Sequence, residues 1–105
     1  MKETTVEELK EKRDNNDSFV LLDVRDAHEY YIADIDGTTR IPYDDLESRI
    51  EELNTEDEII TICRSGNSAS DAVKLLESKG FENASVLKGG INEWAKKIDP
   101  SLPQY

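Results

Sequence analysis

The chain is short of the residues that most often do chemistry. It has one cysteine, Cys63, and one histidine, His28, in 105 residues. A lone cysteine excludes an intrachain disulfide and fits a reducing compartment, so a cytoplasmic location is expected. One cysteine and one histidine also supply too few soft ligands for a zinc site, and no metal is expected. Positive charge is scarce. Thirteen Lys and Arg against 24 Asp and Glu give a formal net charge of −11. Such a surface repels nucleic acid and anionic lipid, so neither is expected as a partner. No segment approaches the ~20 apolar residues of a membrane span. The opening MKETTVEELKEK lacks the apolar stretch of a secretory signal. There is no repeat, low-complexity tract or linker. A hydrophobic content of 36% over this length suits a single domain, residues 1–105.

What is there is an alternation of strand and helix patterns. Thr5 and Glu8 have capping-box spacing ahead of a short helix carrying Val6 and Leu9. Phe19 to Val24 is a continuous apolar run, expected as an interior strand of a sheet covered on both faces. Asp26 is placed to cap a short helix containing His28, Glu29, Tyr30 and Tyr31. Asp36-Gly37 reads as a turn, Thr38 to Ile41 as a weak strand, and Asp44 or Asp45 as the cap of a helix with Leu46, Ile50 and Leu53 on one face. Glu58 to Ile62 is the second strong strand. A helix follows through Lys79, with Ala72, Leu75 and Leu76 inward and Gly80 as its stop. Ala84 to Leu87 is a further strand, and Gly89-Gly90 leads into a helix with Ile91, Trp94 and Ile98. The tail DPSLPQY is expected to lie extended on the surface. This order predicts an α/β fold of three layers, α/β/α, around a central, mostly parallel sheet of four to five strands.

Cys63 stands where the second strong strand ends. Arg64-Ser65-Gly66-Asn67-Ser68 follows, small and polar, and then a helix begins. In parallel α/β folds ligands bind at the carboxyl ends of the strands. A tight loop there can turn successive N–H groups inward as an anion nest, and the helix N-terminus adds its own free N–H groups and dipole. Together they would stabilise a thiolate and hold an anionic group attached to it. This answers the charge problem locally: the cradle is positive although the protein is not. The competing reading is an inert buried thiol that closes the strand. It leaves unexplained a run from Arg64 to Ala72 without one large apolar residue. A Cys63–His28 dyad would join distant segments, and a cradle can activate the thiol without it.

These motifs resemble the rhodanese sulfurtransferase family. CRSGNS at 63–68, with Ala72, Leu75 and Leu76 behind it, resembles the family's active-site loop and following helix. LLDVRDAHEY at 21–30 resembles its Asp-x-Arg segment, IDGTTRIP at 35–42 its Ile-Pro-Gly-Ala…Ile-Pro element, and LKGGINEW at 87–94 its Gly-Gly turn and tryptophan. Asp36 replaces a usual proline, Asp34 a common histidine, and Ser68-Ala69 a common Arg-Ser.

The resemblance implies a thiosulfate sulfurtransferase type of enzyme, with catalytic Cys63. Its anion cradle would be Arg64, Ser65, Gly66, Asn67, Ser68 and Ala69, with Arg64 drawing an anionic donor to the rim. Asp23 and Arg25 would hold the strand end and the loop in place. The partners implied are a small-molecule sulfur donor and a thiol or cyanide acceptor, with no cofactor. The alternative is a sulfur-carrier or regulatory module serving a relay protein. The tail IDPSLPQY resembles the end of rhodanese domains fused behind ubiquitin-activating-like adenylyltransferases. Tyr30, Tyr31 and Ile32 are candidates for an apolar rim that meets such a partner. Cysteine phosphatases and arsenate reductases need an arginine where this chain has Ala69, because that side chain forks onto the anion. Arg64, next to the cysteine, cannot replace it.

Overall fold

A computed structural model describes all residues, 1–105. Five strands form one sheet in which every pair is parallel, in the order β1-β5-β4-β2-β3. The strands are β1 (Glu3–Thr4), β2 (Val20–Asp23), β3 (Thr39–Arg40), β4 (Ile59–Ile62) and β5 (Ala84–Leu87). The helices are α1 (Val6–Asp14), α2 (Tyr43–Leu46), α3 (Asn67–Ser78) and α4 (Gly90–Lys97). Short 3-10 turns cover Ala27–Tyr31 and Ile50–Glu52. No helix is long and apolar enough to cross a membrane.

The sheet divides the core in two. Alternation along β2 and β4 sends Leu22, Val24, Ile59 and Cys63 to one face, where Ala69, Ala72, Val73 and Leu76 of α3 and Leu46 of α2 cover them. It sends Leu21, Ile60 and Ile62 to the other, under Val6 and Leu9 of α1 and Ile91 and Trp94 of α4. β4 is buried at every residue, as a central strand covered on both faces must be. The three layers and the parallel sheet agree with the expectation from the sequence.

Local signals explain most boundaries. Thr5 accepts from the Glu8 N–H at 3.1 Å while Glu8 accepts from the Thr5 N–H at 2.9 Å, closing the capping box. Gly80, at φ +92°, ends α3 by turning the Phe81 N–H back to the Leu76 carbonyl.

Three features depart from the sequence reading. β1 was not visible in the pattern: two polar residues at the sheet edge pair with Val86 and Leu87. The helix expected from Asp44 or Asp45 begins earlier, with Pro42 in the capping position, and breaks after Leu46 before the 3-10 turn that carries Ile50. Ile50 and Leu53 still pack on the core. The tail does not lie free on the surface. Leu102 and Tyr105 pack against the α1–α4 face, because two apolar side chains placed three residues apart find an uncovered edge of the core there.

Candidate active site

Cys63 sits at the carboxyl end of β4, its side chain on the α3 face and 5% exposed. Strand alternation alone aims the sulfur at the N-terminus of α3. The chain cannot enter the helix directly. Gly66, at φ +113°, takes a backbone conformation that L side chains rarely adopt, and only then does α3 begin at Asn67. The Gly66 N–H donates to Cys63 Sγ at 2.9 Å.

The rest of the loop is set from below by α4. Ile91 N–H donates to the Cys63 carbonyl at 2.9 Å and Asn92 N–H to the Arg64 carbonyl at 3.2 Å. In a trans peptide the C=O and the next N–H point in opposite directions. With those two carbonyls bound down onto α4, the N–H groups of Arg64 and Ser65 face the other way, towards the pocket. Gly90 makes this close approach feasible: a Cβ there would lie 2.5 Å from the Cys63 oxygen.

The first internal bond of α3 runs from Ser70 N–H to the Gly66 carbonyl at 3.0 Å. The N–H groups of Asn67, Ser68 and Ala69 precede it and, with those of Arg64 and Ser65, have no acceptor within the protein. Five free amides, and one already on the sulfur, therefore lie in the loop and first helical turn that follow the thiol. This arrangement favours negative charge on the sulfur or on an atom attached to it.

A cavity of about 400 Å³ opens over the sulfur. Arg64, Ser65, Asn67 and Ser68 line it with Val24, Arg25, Asp26, Glu29, Tyr43 and Asp44. Ala69 contributes only its amide. Its side chain is fully buried in the α3 face of the core, and its carbonyl accepts from Thr61 Oγ1 at 2.9 Å. Ser68, which stands at the pocket wall, leaves the cavity open.

Asp23 and Arg25 form a buried fork. Arg25 Nε and Nη2 donate to the Asp23 carboxylate, the shortest contact 2.7 Å, with both side chains no more than 1% exposed. Burial would lower the Arg25 pKa, but the bonds to Asp23 and Tyr105 outweigh it and hold the guanidinium above its ordinary value. Neither side chain bonds to the 63–68 loop. Arg25 Nη1 reaches instead to the Glu29 carbonyl at 3.2 Å and to the Tyr105 hydroxyl at 2.9 Å.

Tyr105 is the site residue that the sequence reading missed. Its hydroxyl accepts from Arg25 and donates to Glu29 Oε1 at 2.9 Å. Its main chain pairs with the Asn92 side chain: Tyr105 N–H to Asn92 Oδ1 and Asn92 Nδ2 to the Tyr105 oxygen, each 3.0 Å. That oxygen also accepts from Arg64 Nε, and the Arg64 guanidinium lies 5.0 Å from the centre of the Tyr105 ring. The signals in the sequence were the resemblance of the tail IDPSLPQY and one aromatic after two prolines.

His28 is exposed, does not line the pocket and makes no bond to Cys63. No group of three or more Cys, His, Asp or Glu side chains is placed to hold a metal ion. Among the residues expected at an apolar rim, Tyr31 and Ile32 are exposed, while Tyr30 is half-buried beneath the Arg40 guanidinium at 4.6 Å. None of the three lines the pocket, whereas Tyr43 does.

Fold and site together define a parallel α/β domain with a cysteine at the end of a central strand and unpaired main-chain amides in the loop that follows it. The model of the rhodanese-like domain matches residues 5–97, and the chain belongs to that family. Among curated proteins it is similar to "Adenylyltransferase and sulfurtransferase MOCS3-2" of Zea mays, 36% identical over 96% of this chain and 22% of the relative. It is equally similar, at 36% identity, to the "Putative sulfur carrier protein YrkF" of Bacillus subtilis, over 92% of this chain and 52% of the relative. The chain thus spans between about a fifth and a half of these curated relatives. Among solved structures it is similar to the human single-domain sulfurtransferase TSTD1, with a TM-score of 0.82, 25% identity and coverage of 92% of this chain and 97% of that one. It is also similar to a protein of Staphylococcus saprophyticus subsp. saprophyticus, with a TM-score of 0.85, 30% identity and coverage of 93% and 97%.

Proposed function

We propose that the chain transfers sulfane sulfur through a persulfide on Cys63. The carrying observation is the set of unpaired amides of Arg64, Ser65, Asn67, Ser68 and Ala69 around a sulfur that already accepts from Gly66. The Cys63 thiolate attacks the outer sulfur of a donor such as thiosulfate. A new S–S bond forms, the donor's S–S bond breaks, and sulfite leaves with its electron pair. The terminal persulfide sulfur extends about 2 Å beyond Sγ, into the cavity and within reach of the free amides. A thiophile, cyanide or a thiolate, then attacks that sulfur, and the Cys63 thiolate departs unchanged. This is covalent catalysis in two half-reactions, with ping-pong kinetics. It uses no cofactor or metal.

The test is intact mass after incubation with thiosulfate and removal of the excess. The expected result is one added sulfur on the wild-type chain and none on Cys63→Ser, which also loses thiosulfate:cyanide turnover while keeping its fold. An unmodified wild-type chain, or full turnover by Cys63→Ser, overturns the reading.

A second reading, a carrier that takes sulfur from or passes it to a relay protein, has its own support. Asp26, Glu29 and Asp44 line the cavity beside Arg25 and Arg64. Their carboxylates repel a small dianion and tolerate a neutral or cationic partner group. The curated relatives include a putative sulfur carrier and sulfurtransferases with adenylyltransferase activity in their names. The carrier reading expects a high KM for thiosulfate that falls severalfold in Asp44→Asn, and faster sulfur exchange with a persulfidated protein than with thiosulfate.

A further inference from the structure

We infer that Tyr105 is a positioning residue for the active-site loop, acting through Arg64. The inference rests on the reading of Arg64 as the rim charge that meets an anionic reactant. Arg64 follows the nucleophile, and both ends of the residue are tied. Its carbonyl is held by Asn92 N–H, at the start of α4. Its guanidinium is held by the main-chain oxygen of Tyr105 and by the face of the Tyr105 ring.

An exposed arginine side chain has about 2 kcal/mol of rotamer entropy, and a free one would sample the solvent around the rim. Tyr105 removes that freedom. It can do so because it is itself fixed from two sides. The Asn92 amide clamps its main chain through two bonds, and Arg25 and Glu29 hold its hydroxyl. Arg25 is in turn locked to Asp23. A chain of contacts thus runs from the buried ion pair at the end of β2, through Tyr105, to the guanidinium of the residue that follows Cys63.

The consequence is electrostatic. Asp26, Glu29 and Asp44 surround the same cavity, so the cation that faces an incoming anion counts only if it stays in place. Tyr105 keeps it in place.

The experiment compares alkylation of Cys63 by anionic iodoacetate and neutral iodoacetamide, read as the ratio of the two rates at low salt. The ratio reports the field over the sulfur whether or not sulfur is ever transferred. Arg64→Ala lowers it about three- to fivefold, the scale of one partly screened charge at the rim of the cavity. Tyr105→Ala, which removes the ring and the hydroxyl anchor but leaves the main-chain oxygen, lowers it part of the way, and the Arg64→Ala/Tyr105→Ala double variant lowers it no further than Arg64→Ala, because both act through one guanidinium. Tyr105→Phe keeps the ring but loses the hydroxyl bonds to Arg25 and Glu29, so it lowers the ratio by less than Tyr105→Ala, which loses both. Asn92→Ala, which frees that oxygen from its other partner, repeats the Tyr105→Ala result without touching the tyrosine.

An unchanged ratio in Tyr105→Ala overturns the inference. So does multiplication of the two single losses in the double variant, or a loss in Tyr105→Phe as large as in Tyr105→Ala. Failure of the sulfurtransferase reading is seen separately, as a wild-type chain that takes up no sulfur.

Discussion

Gly90 and Cys63 touch through their main chains: a Cβ at Gly90 would lie 2.5 Å from the Cys63 carbonyl oxygen and 2.6 Å from that of Arg64. The contact comes with φ +65° at Gly90, where an L side chain is strained as well. Gly90→Ala is therefore expected to cost about 2 kcal/mol, the scale of overpacking a close-packed site. It also pushes the loop off α4, so the alkylation rate of Cys63 changes with it. Denaturant unfolding and the rate of thiol labelling check both. Wild-type stability with wild-type labelling would show that the loop does not depend on this contact.

Asp23→Asn keeps the shape of the buried fork and removes its negative charge. Arg25 then keeps only Asp34, 4.0 Å away, as a counterion, so the cost is about 3 kcal/mol, the low end for a buried pair that loses one partner. Domains of this kind are stable by roughly 5–15 kcal/mol, so the variant is expected to be partly unfolded at moderate temperature. A urea titration measures this. A midpoint shift worth less than about 1 kcal/mol would mean that water reaches the pair and shares the charge.

Thr61 donates from β4 to the Ala69 carbonyl in the first turn of α3. Thr61→Val preserves the volume and removes one of the two bonds to a buried acceptor. The expected loss is about 1 kcal/mol, because that carbonyl still receives its helical bond. For a chain of this size that corresponds to a melting temperature lower by roughly 4–8 °C. A thermal melt decides the matter, and an unchanged melting temperature would remove Thr61 from the devices that seat α3.

The phenols of Tyr30 and Tyr105 are both held above their ordinary pKa of 10.0, in each case first by burial. At Tyr105 the bond to Arg25 pulls the other way and Glu29 adds to the rise. Both groups bind their proton more tightly folded than unfolded. Their contribution to stability is complete below about pH 10 and is lost as pH rises through the folded-state values. Urea midpoints measured from pH 8 to 11 should be flat at first and then fall, and Tyr105→Phe should fall less steeply. A midpoint that stays level to pH 11 would contradict this.

The sequence was most legible where one local force decides the structure. The patterns at Phe19 to Val24 and Glu58 to Ile62 specify interior strands, and Gly66 and Gly80 mark turns that only a permissive residue makes. The loop could be read as a cradle because strand, small residues and helix start follow one another in sequence. Long-range relations were not legible. Glu3 and Thr4 carry no strand pattern, and only the exposed edge of β5 makes them one. Ala69 was informative as a missing arginine, but its burial against Thr61 depends on how α3 sits on the sheet. Tyr105 lies 80 residues from Arg25 and 41 from Arg64, and no periodicity connects positions so far apart.

The cradle around Cys63 is made of main-chain groups, and its shape is fixed by Gly66, Gly90 and the start of α4. The side chains of Ser65, Asn67 and Ser68 hang from it without bearing on its geometry. They are the interchangeable part of the site. Under the proposed sulfur transfer, a library that randomises these three positions would vary what approaches the sulfur while leaving the Cys63 main chain where it is.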